Sequence, residues 1–103
     1  KAMEYVENHY FDEELSLDSV CQELGVSNSY FSTIFKKETG KSFIGYLTDY
    51  RMVQASRMLI ESNEKSYIIA KKVGYADPNY FSYVFKRKFG VSPMKYRTEH
   101  TKE

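Results

Sequence analysis

Residues Gly74–Arg97 read GYADPNYFSYVFKRKFGVSPMKYR and combine a turn, a capped helix, a basic cluster and a second cap. Gly74 can adopt the left-handed backbone conformation that often ends a helix. Asp77 and Pro78 then have the residue types of an N-cap and a first helical position, where the nitrogen of proline needs no hydrogen-bond partner. The pattern predicts two short helices joined by a sharp turn, which is a candidate helix-turn-helix unit.

The second helix of this unit is predicted to have one apolar and one polar face. Four apolar residues recur at helical spacing: Phe81, Val84, Phe85 and Phe89. The other side carries hydrogen-bonding groups, an aromatic ring and a cation: Asn79, Ser82, Tyr83 and Lys86. We therefore expect the apolar stripe to face the core and the polar stripe to face solvent.

A second copy of the same pattern lies upstream. Residues 30–47, YFSTIFKKETGKSFIGYL, align without a gap with residues 80–97. The identical positions are Tyr30/Tyr80, Phe31/Phe81, Ser32/Ser82, Phe35/Phe85, Lys36/Lys86, Gly40/Gly90, Ser42/Ser92 and Tyr46/Tyr96. With one residue added in the turn, the match continues upstream and pairs Gly25 with Gly74. The chain thus contains two copies of one structural unit.

Caps and periodicity predict the remaining helices. Five serines have the position of an N-cap before a helical pattern: Ser16, Ser27, Ser42, Ser66 and Ser92. The helix after Ser42 is the longest, and at 1.5 Å per residue its length from Ile44 to Glu61 is about 27 Å. No segment alternates with the period of a strand. We predict an all-α fold of seven helices, in which two helix-turn-helix units are joined by a long linker helix.

The predicted division of the 103 residues follows from these elements. Residues 1–41 form the first helix-turn-helix unit with an N-terminal supporting helix, and residues 42–62 form the linker helix. Residues 63–97 form the second unit. Residues 98–103 are a polar tail that we expect to fray.

The charge is polarised along the chain, although the formal net charge is only +1. Residues 1–24 carry one basic and seven acidic residues, residues 25–61 carry five and three, and residues 62–103 carry nine and four. A basic face over the two repeats suits phosphate groups, whereas the acidic N-terminal segment is expected to point away from DNA.

The residues that other function classes need are missing. The two histidines are far apart, and the sequence has no Gly-rich phosphate loop and no paired carboxylates. We therefore predict no catalytic residue, no metal site and no cofactor. Cys21, the one cysteine, excludes an internal disulfide, fits a reducing compartment and lies on an apolar stripe. We expect no signal peptide, and no apolar run approaches the roughly 18 residues of a membrane span. We predict a cytoplasmic domain that does not act on membranes.

These residues resemble a known family. Gly74-Tyr75, Tyr80-Phe81, Phe85-Lys86, Gly90, Pro93 and Tyr96-Arg97 are similar to the C-terminal signature of the AraC/XylS transcription regulators. The upstream copy resembles their first helix-turn-helix, so the resemblance covers roughly residues 2 to 97. The opening segment looks most like versions found at the C-terminus of two-component response regulators. The resemblance implies regulation of bacterial transcription by binding double-stranded DNA.

The resemblance also implies which residues contact bases. The positions that match the family's base-reading positions are Ser29, Ser32 and Thr33 in the first recognition helix and Asn79, Ser82 and Tyr83 in the second. Asn can bridge adenine N6 and N7, and Ser and Thr can donate or accept. Many relatives have Arg where this chain has Thr33 and Tyr83, so neither helix has the strongest guanine reader. We therefore expect DNA recognition to depend more on phosphate contacts and on DNA shape than on direct contacts to bases.

Phosphate contacts are expected from cations that trail the two recognition helices and from helix N-termini. The candidates are Ser27, Lys36, Lys37, Lys41, Ser42, Lys86, Arg87, Lys88 and Arg97. For the cations the alternative is a solvated helix face. For Arg97 an internal pairing is an equal alternative. Tyr30 and Tyr80, next to the inner phenylalanines, are expected at the edge of the core.

The expected partners follow from this interpretation. Two unlike recognition helices, held apart by the linker helix, predict a bipartite DNA site of about 20 base pairs in successive major grooves. RNA polymerase and an upstream sensing or receiver domain are further expected partners of the larger regulator. The alternative is a helical protein-interaction module that does not bind DNA.

Overall fold

The computed structural model describes residues 2–101, all of whose regular elements are helices. The seven helices are α1 (Ala2–His9), α2 (Leu17–Leu24), α3 (Asn28–Thr39), α4 (Phe43–Glu61), α5 (Ser66–Lys72), α6 (Pro78–Phe89) and α7 (Pro93–Thr101). The helix pairs α2–α3 and α5–α6 are the two helix-turn-helix units, and α4 joins them. The predicted fold class is therefore confirmed.

Local signals place most helix ends. The side-chain oxygens of Ser16, Ser27 and Ser42 accept hydrogen bonds from backbone N–H groups in the first turns of α2, α3 and α4. At the C-terminal ends of α2, α3 and α6, the backbone takes the left-handed conformation at Gly25, Gly40 and Gly90. Glycine adopts this conformation readily because it has no Cβ atom. These caps satisfy backbone groups that the helix itself leaves without partners.

Two expectations about helix ends were wrong. Lys65, not Ser66, is the N-cap of α5; it makes no side-chain cap bond, and Ser66 is already helical. The tail was expected to fray from residue 98, but α7 continues to Thr101. The Thr101 hydroxyl donates to the Arg97 carbonyl over 2.6 Å, which stabilises this last turn. Residues 102 and 103 of the predicted tail lie outside the described range.

Two hydrophobic cores share the linker helix. The first contains Val6, Leu15, Val20, Cys21, Phe31, Phe35, Phe43 and Leu47. The second contains Met52, Ala55, Leu59, Ile69, Ala70, Val73, Phe81 and Phe85. The change from one core to the other falls between Leu47 and Met52, near the middle of α4. Each unit is thus packed on its own half of one continuous helix, which gives an elongated molecule of 48 × 23 × 21 Å.

Arg51 is buried where the two cores meet. Its Nε donates to the Tyr10 carbonyl and its Nη2 to the Asp12 carbonyl, both over 2.9 Å. The guanidinium also lies 5.4 Å from the centre of the Tyr75 ring. Arg51 therefore connects the segment after α1, the linker helix and the turn of the second unit.

Candidate nucleic-acid interface

The first recognition helix, α3, is held by its aromatic inner stripe. Phe31 and Phe35 are buried, and their ring centres lie 5.8 and 5.6 Å from that of Phe43 at the start of α4. Fixing this stripe also fixes the opposite face, because side chains on a helix keep their angular spacing. Ser29 and Thr33 are exposed as expected, and Ser32 is half-buried.

The second recognition helix, α6, repeats this arrangement. Phe81 and Phe85 are fully buried, while Asn79 and Tyr83 are exposed and Ser82 is half-buried. The Asp77 carboxylate accepts from the Asn79 backbone N–H over 2.9 Å, and Asn79 is exposed. Residues 30–40 and 80–90 have the same sequence of buried, half-buried and exposed positions throughout. The two copies therefore present corresponding faces to solvent.

The expected phosphate-binding cations differ in what they contact. Lys36, Lys37 and Lys86 are exposed and form no ion pair within residues 2–101. Lys41 and Lys88 both pair with Asp49 of the linker helix, at 2.5 and 3.3 Å. The Lys41 hydrogen bond, with help from Lys88, lowers the pKa of the Asp49 carboxyl against a weaker opposing effect of partial burial. Asp49 is therefore ionised at neutral pH.

Arg87 contacts a neighbouring base-reading candidate. Its Nη1 donates to the Tyr83 hydroxyl over 3.2 Å, and its guanidinium lies 5.8 Å from the ring centre. Tyr83 in turn stacks on Tyr80, with ring centres 6.3 Å apart. The aromatic rings and the cation thus form one exposed row along α6.

The structure shows the internal pairing of Arg97. Its Nε donates to the Leu59 carbonyl over 2.8 Å, and its Nη2 donates to the carbonyls of Ser62 and Glu64 over 3.1 and 2.7 Å. These carbonyls belong to the end of α4 and the segment after it, where backbone acceptors lack helical partners. Arg97 joins α7 to the linker helix, so its guanidinium is not directed at a DNA phosphate in this structure.

Helix N-termini supply further hydrogen-bond donors. Ser27 and Ser42 are exposed, and their hydroxyls accept from the backbone N–H groups of Tyr30 and Gly45 over 3.2 and 3.0 Å. The remaining N–H groups of each first turn have no acceptor within the helix. They suit an anion at the start of α3 or α4.

Two tyrosines were placed wrongly by the sequence interpretation. Tyr30 and Tyr80, expected at the edge of the core, are 63% and 55% exposed. They precede the buried Phe31 and Phe81, and Tyr80 still contacts the half-buried Tyr75, with ring centres 5.9 Å apart. The spacing of Tyr80 and Tyr83, three residues apart on one helical face, is the signal that would have placed Tyr80 in the exposed row.

Asp49 was also missed as part of this surface. Its two lysine partners are 8 and 39 residues away in sequence. Neither separation matches the three- or four-residue spacing at which helical ion pairs are recognised. The Lys88 pair in particular forms only because α6 packs against the linker helix.

A helix-turn-helix domain model matches residues 20–99 of the chain. The arabinose operon regulatory protein of Escherichia coli (strain K12) is 32% identical over 97 residues, which is 94% of this chain and 33% of that protein. The chain belongs to the AraC family of transcription regulators. It spans about a third of the length of this relative and of several others.

Solved structures share the AraC-type architecture. The C-terminal domain of AraT, a response regulator from Geobacillus stearothermophilus, has a TM-score of 0.95 and 39% identity, covering 97% of this chain and 83% of that one. The DNA-binding domain of AdpA, a global transcriptional factor, was solved in complex with a target DNA. It has a TM-score of 0.89 over 94% of this chain and 86% of that one, at 24% identity, so this likeness concerns the fold.

Features of two other protein classes are absent from the described residues. Within residues 2–101, no three His, Cys, Asp or Glu side chains are placed to hold a metal ion. In the same range no helix combines the length and the apolar character needed to cross a membrane.

Proposed function

We propose that this AraC-type domain binds double-stranded DNA in a sequence-specific manner, with α3 and α6 in successive major grooves. The observation that carries the proposal is the matched exposure of the two recognition helices on opposite halves of α4. At 1.5 Å per residue, the 19 residues of α4 extend about 28 Å. Successive major grooves on one face of DNA lie about 34 Å apart, a span within reach once the offsets of the helices from α4 are added.

The residues on each exposed face have distinct roles in this proposal. Ser29, Ser32 and Thr33 read one half-element. Asn79, Ser82 and Tyr83 read the other, with Asn79 suited to an adenine and the Tyr83 ring suited to the methyl group of a thymine. Because the two sets differ, one domain reads two unlike half-elements within a bipartite site of about 20 base pairs.

Phosphate contacts supply the part of the affinity that is independent of sequence. Lys36, Lys37 and Lys86 are supported by their exposure and by the absence of ion pairs within the described range. Lys41, Lys88 and Arg87 contribute after exchanging their present partners for phosphate. The N-termini at Ser27 and Ser42 add backbone donors, whereas Arg97 has a structural role.

We further propose that the domain is the output part of a larger bacterial regulator. The AraT match supports this, since that structure is the C-terminal domain of a response regulator. In this arrangement a sensing or receiver domain precedes the chain, RNA polymerase is the eventual target of regulation, and the protein works in the cytoplasm with the chromosome. The AdpA complex with a target DNA supports DNA as the ligand of the shared fold.

The experiment begins with selection of a binding site from random duplexes, followed by footprinting. Binding is then measured by fluorescence anisotropy at two salt concentrations. DNA binding predicts a steep loss of affinity with salt, because phosphate contacts release counterions. A helical protein-interaction module predicts no salt-dependent affinity, and that result would refute the proposal.

The same assay tests the bipartite site. Inserting five base pairs, about half a helical turn, between the half-elements moves one of them to the opposite face of the DNA. The continuous helix α4 cannot follow, so affinity should fall to that of a duplex with one half-element scrambled, which is the control. Full affinity for the insertion duplex would contradict the rigid spacing.

A further inference from the structure

The carboxylate of Asp49 lies between the trailing cations of both helix-turn-helix units. Its Oδ2 is 2.5 Å from Lys41 Nζ, and its Oδ1 is 3.3 Å from Lys88 Nζ. Lys41 follows Gly40, which ends α3, and Lys88 lies in the last turn of α6. One side chain of the linker helix thus joins corresponding ends of the two recognition helices.

The carboxylate of Asp49 and its two lysine partners are partly exposed to solvent. Asp49 lines a groove of about 460 Å³ between α4 and α6, together with Tyr80, Tyr83 and Arg87. Its side chain is 36% exposed, and those of Lys41 and Lys88 are 54% and 32% exposed. Exposed ion pairs of this kind are weak and exchange readily. Both lysines can therefore leave Asp49 for a stronger anion without disturbing the core.

A carboxylate and a phosphate diester offer lysine the same chemistry, a negatively charged oxygen that accepts hydrogen bonds. We propose that Asp49 is an intramolecular stand-in for a DNA phosphate: it holds Lys41 and Lys88 in the free domain, competes with DNA for them, and thereby lowers affinity for duplexes of any sequence. The inference rests on the proposed DNA binding. It adds Asp49 as a residue that lowers the affinity that does not depend on DNA sequence.

The charge balance gives the expected size of the effect. The cluster of Lys41, Asp49 and Lys88 carries a net charge of +1, whereas Asp49→Asn keeps the side-chain shape and raises the net charge to +2. One additional phosphate neutralised steepens the slope of log K against log salt by about 0.9. The affinity gain of the variant over wild type should therefore shrink about 3.5-fold between 50 and 200 mM salt.

The test is a salt titration of the whole 103-residue chain with the selected site and with a scrambled duplex. Asp49→Asn should bind both duplexes more tightly than wild type and with the steeper slope. The control is Glu61→Gln, an exposed residue at the far end of α4 that removes the same charge and contacts neither lysine. Circular dichroism establishes that each variant is folded.

A second comparison separates competition from simple charge repulsion. In the Lys41→Ala/Lys88→Ala background, Asp49→Asn should gain no more affinity than Glu61→Gln, because no lysine is left to release. If Asp49→Asn matches Glu61→Gln in the wild-type background, or if it weakens binding, the inference is overturned while DNA binding stands. If the wild-type chain shows no salt-dependent affinity, both the proposed function and this inference fail.

Discussion

Gly74→Ala should destabilise the domain far more than the same change at other left-handed glycines. Gly74 has a φ of +97° in the turn of the second unit. A Cβ atom there would lie 2.8 Å from Arg51 Cζ, 2.8 Å from the Tyr10 carbonyl oxygen and 2.9 Å from Arg51 Nε. Two of these atoms belong to a buried guanidinium and the third to its hydrogen-bond acceptor, so the contact cannot be relieved by moving a flexible side-chain end.

The magnitude has two parts. Placing a Cβ in a left-handed conformation costs about 1–2 kcal/mol. Displacing Arg51 from the Tyr10 carbonyl weakens a hydrogen bond from a charged group, and such bonds contribute about 1.5–3 kcal/mol. The expected loss is therefore about 3–5 kcal/mol, a large share of the roughly 5–15 kcal/mol that stabilises a typical domain.

The chain offers matched controls for the backbone part. Gly40 and Gly90 have φ values of 80° and 83°, and a Cβ at either would meet nothing within 4 Å. Gly40→Ala and Gly90→Ala should therefore lose only about 1–2 kcal/mol. Urea unfolding followed by circular dichroism gives the free energy of unfolding of each variant.

Equal losses for Gly74→Ala and Gly90→Ala would refute the steric argument. A double-mutant cycle with Arg51→Ala tests the partner directly, because removing the guanidinium removes two of the three close contacts. The combined loss should then be smaller than the sum of the single losses by at least about 1 kcal/mol. Strict additivity would show that Arg51 is not the obstacle.

Three further predictions concern single side chains. Arg97→Ala should cost about 2–4 kcal/mol of stability, because three carbonyls lose a charged donor. The salt dependence of DNA binding should stay unchanged. A shallower slope of log K against log salt, at unchanged stability, would instead show that Arg97 contacts a phosphate. Replacing thymidine by deoxyuridine in the second half-element should weaken binding about fourfold, because one buried methyl group contributes ~0.8 kcal/mol. Tyr83→Ala should abolish this difference. A loss of affinity that persists in the variant would exclude Tyr83 as the residue that contacts the methyl group. Burial and the nearby Asp18 raise the pKa of the Cys21 thiol, so the neutral thiol persists at pH 8 and reaction with Ellman's reagent should follow the fraction unfolded in urea; rapid labelling of the folded domain would contradict the buried placement.

Much of the fold could be predicted because its signals are local. The cap residues Ser27, Ser42 and Asp77 act on N–H groups two or three residues away. The inner phenylalanines recur at helical spacing, and that spacing alone determines which residues share a face. Ser66 shows the limit of such reasoning, since a serine before an apolar pattern has the right type for a cap and is nevertheless inside the helix.

For the residues of the candidate interface, the sequence predicts which helix face each one occupies but not what its side chain contacts. Spacing put Asn79 and Tyr83 on the polar side of their helix, and the resemblance made Ser29 and Thr33 base-reading candidates. The structure exposes all four. Spacing could not show what a long charged side chain contacts, because lysine and arginine reach groups far away in sequence. The cations therefore divide into unpaired, exchangeable and structural ones only after folding.

The helices, most of their caps and the polar stripe of each recognition helix could be predicted from the amino-acid sequence, since each depends on interactions within a few residues. The duplicated unit was visible as a repeat in the sequence. The contacts of Arg51, Arg97 and Asp49 become visible only in the folded domain. Arg51 meets carbonyls 41 and 39 residues away, Arg97 meets carbonyls 38, 35 and 33 residues away, and Asp49 meets Lys88 across 39 residues. No local propensity encodes such pairs, because they form only where the packing of several helices on α4 brings distant segments together.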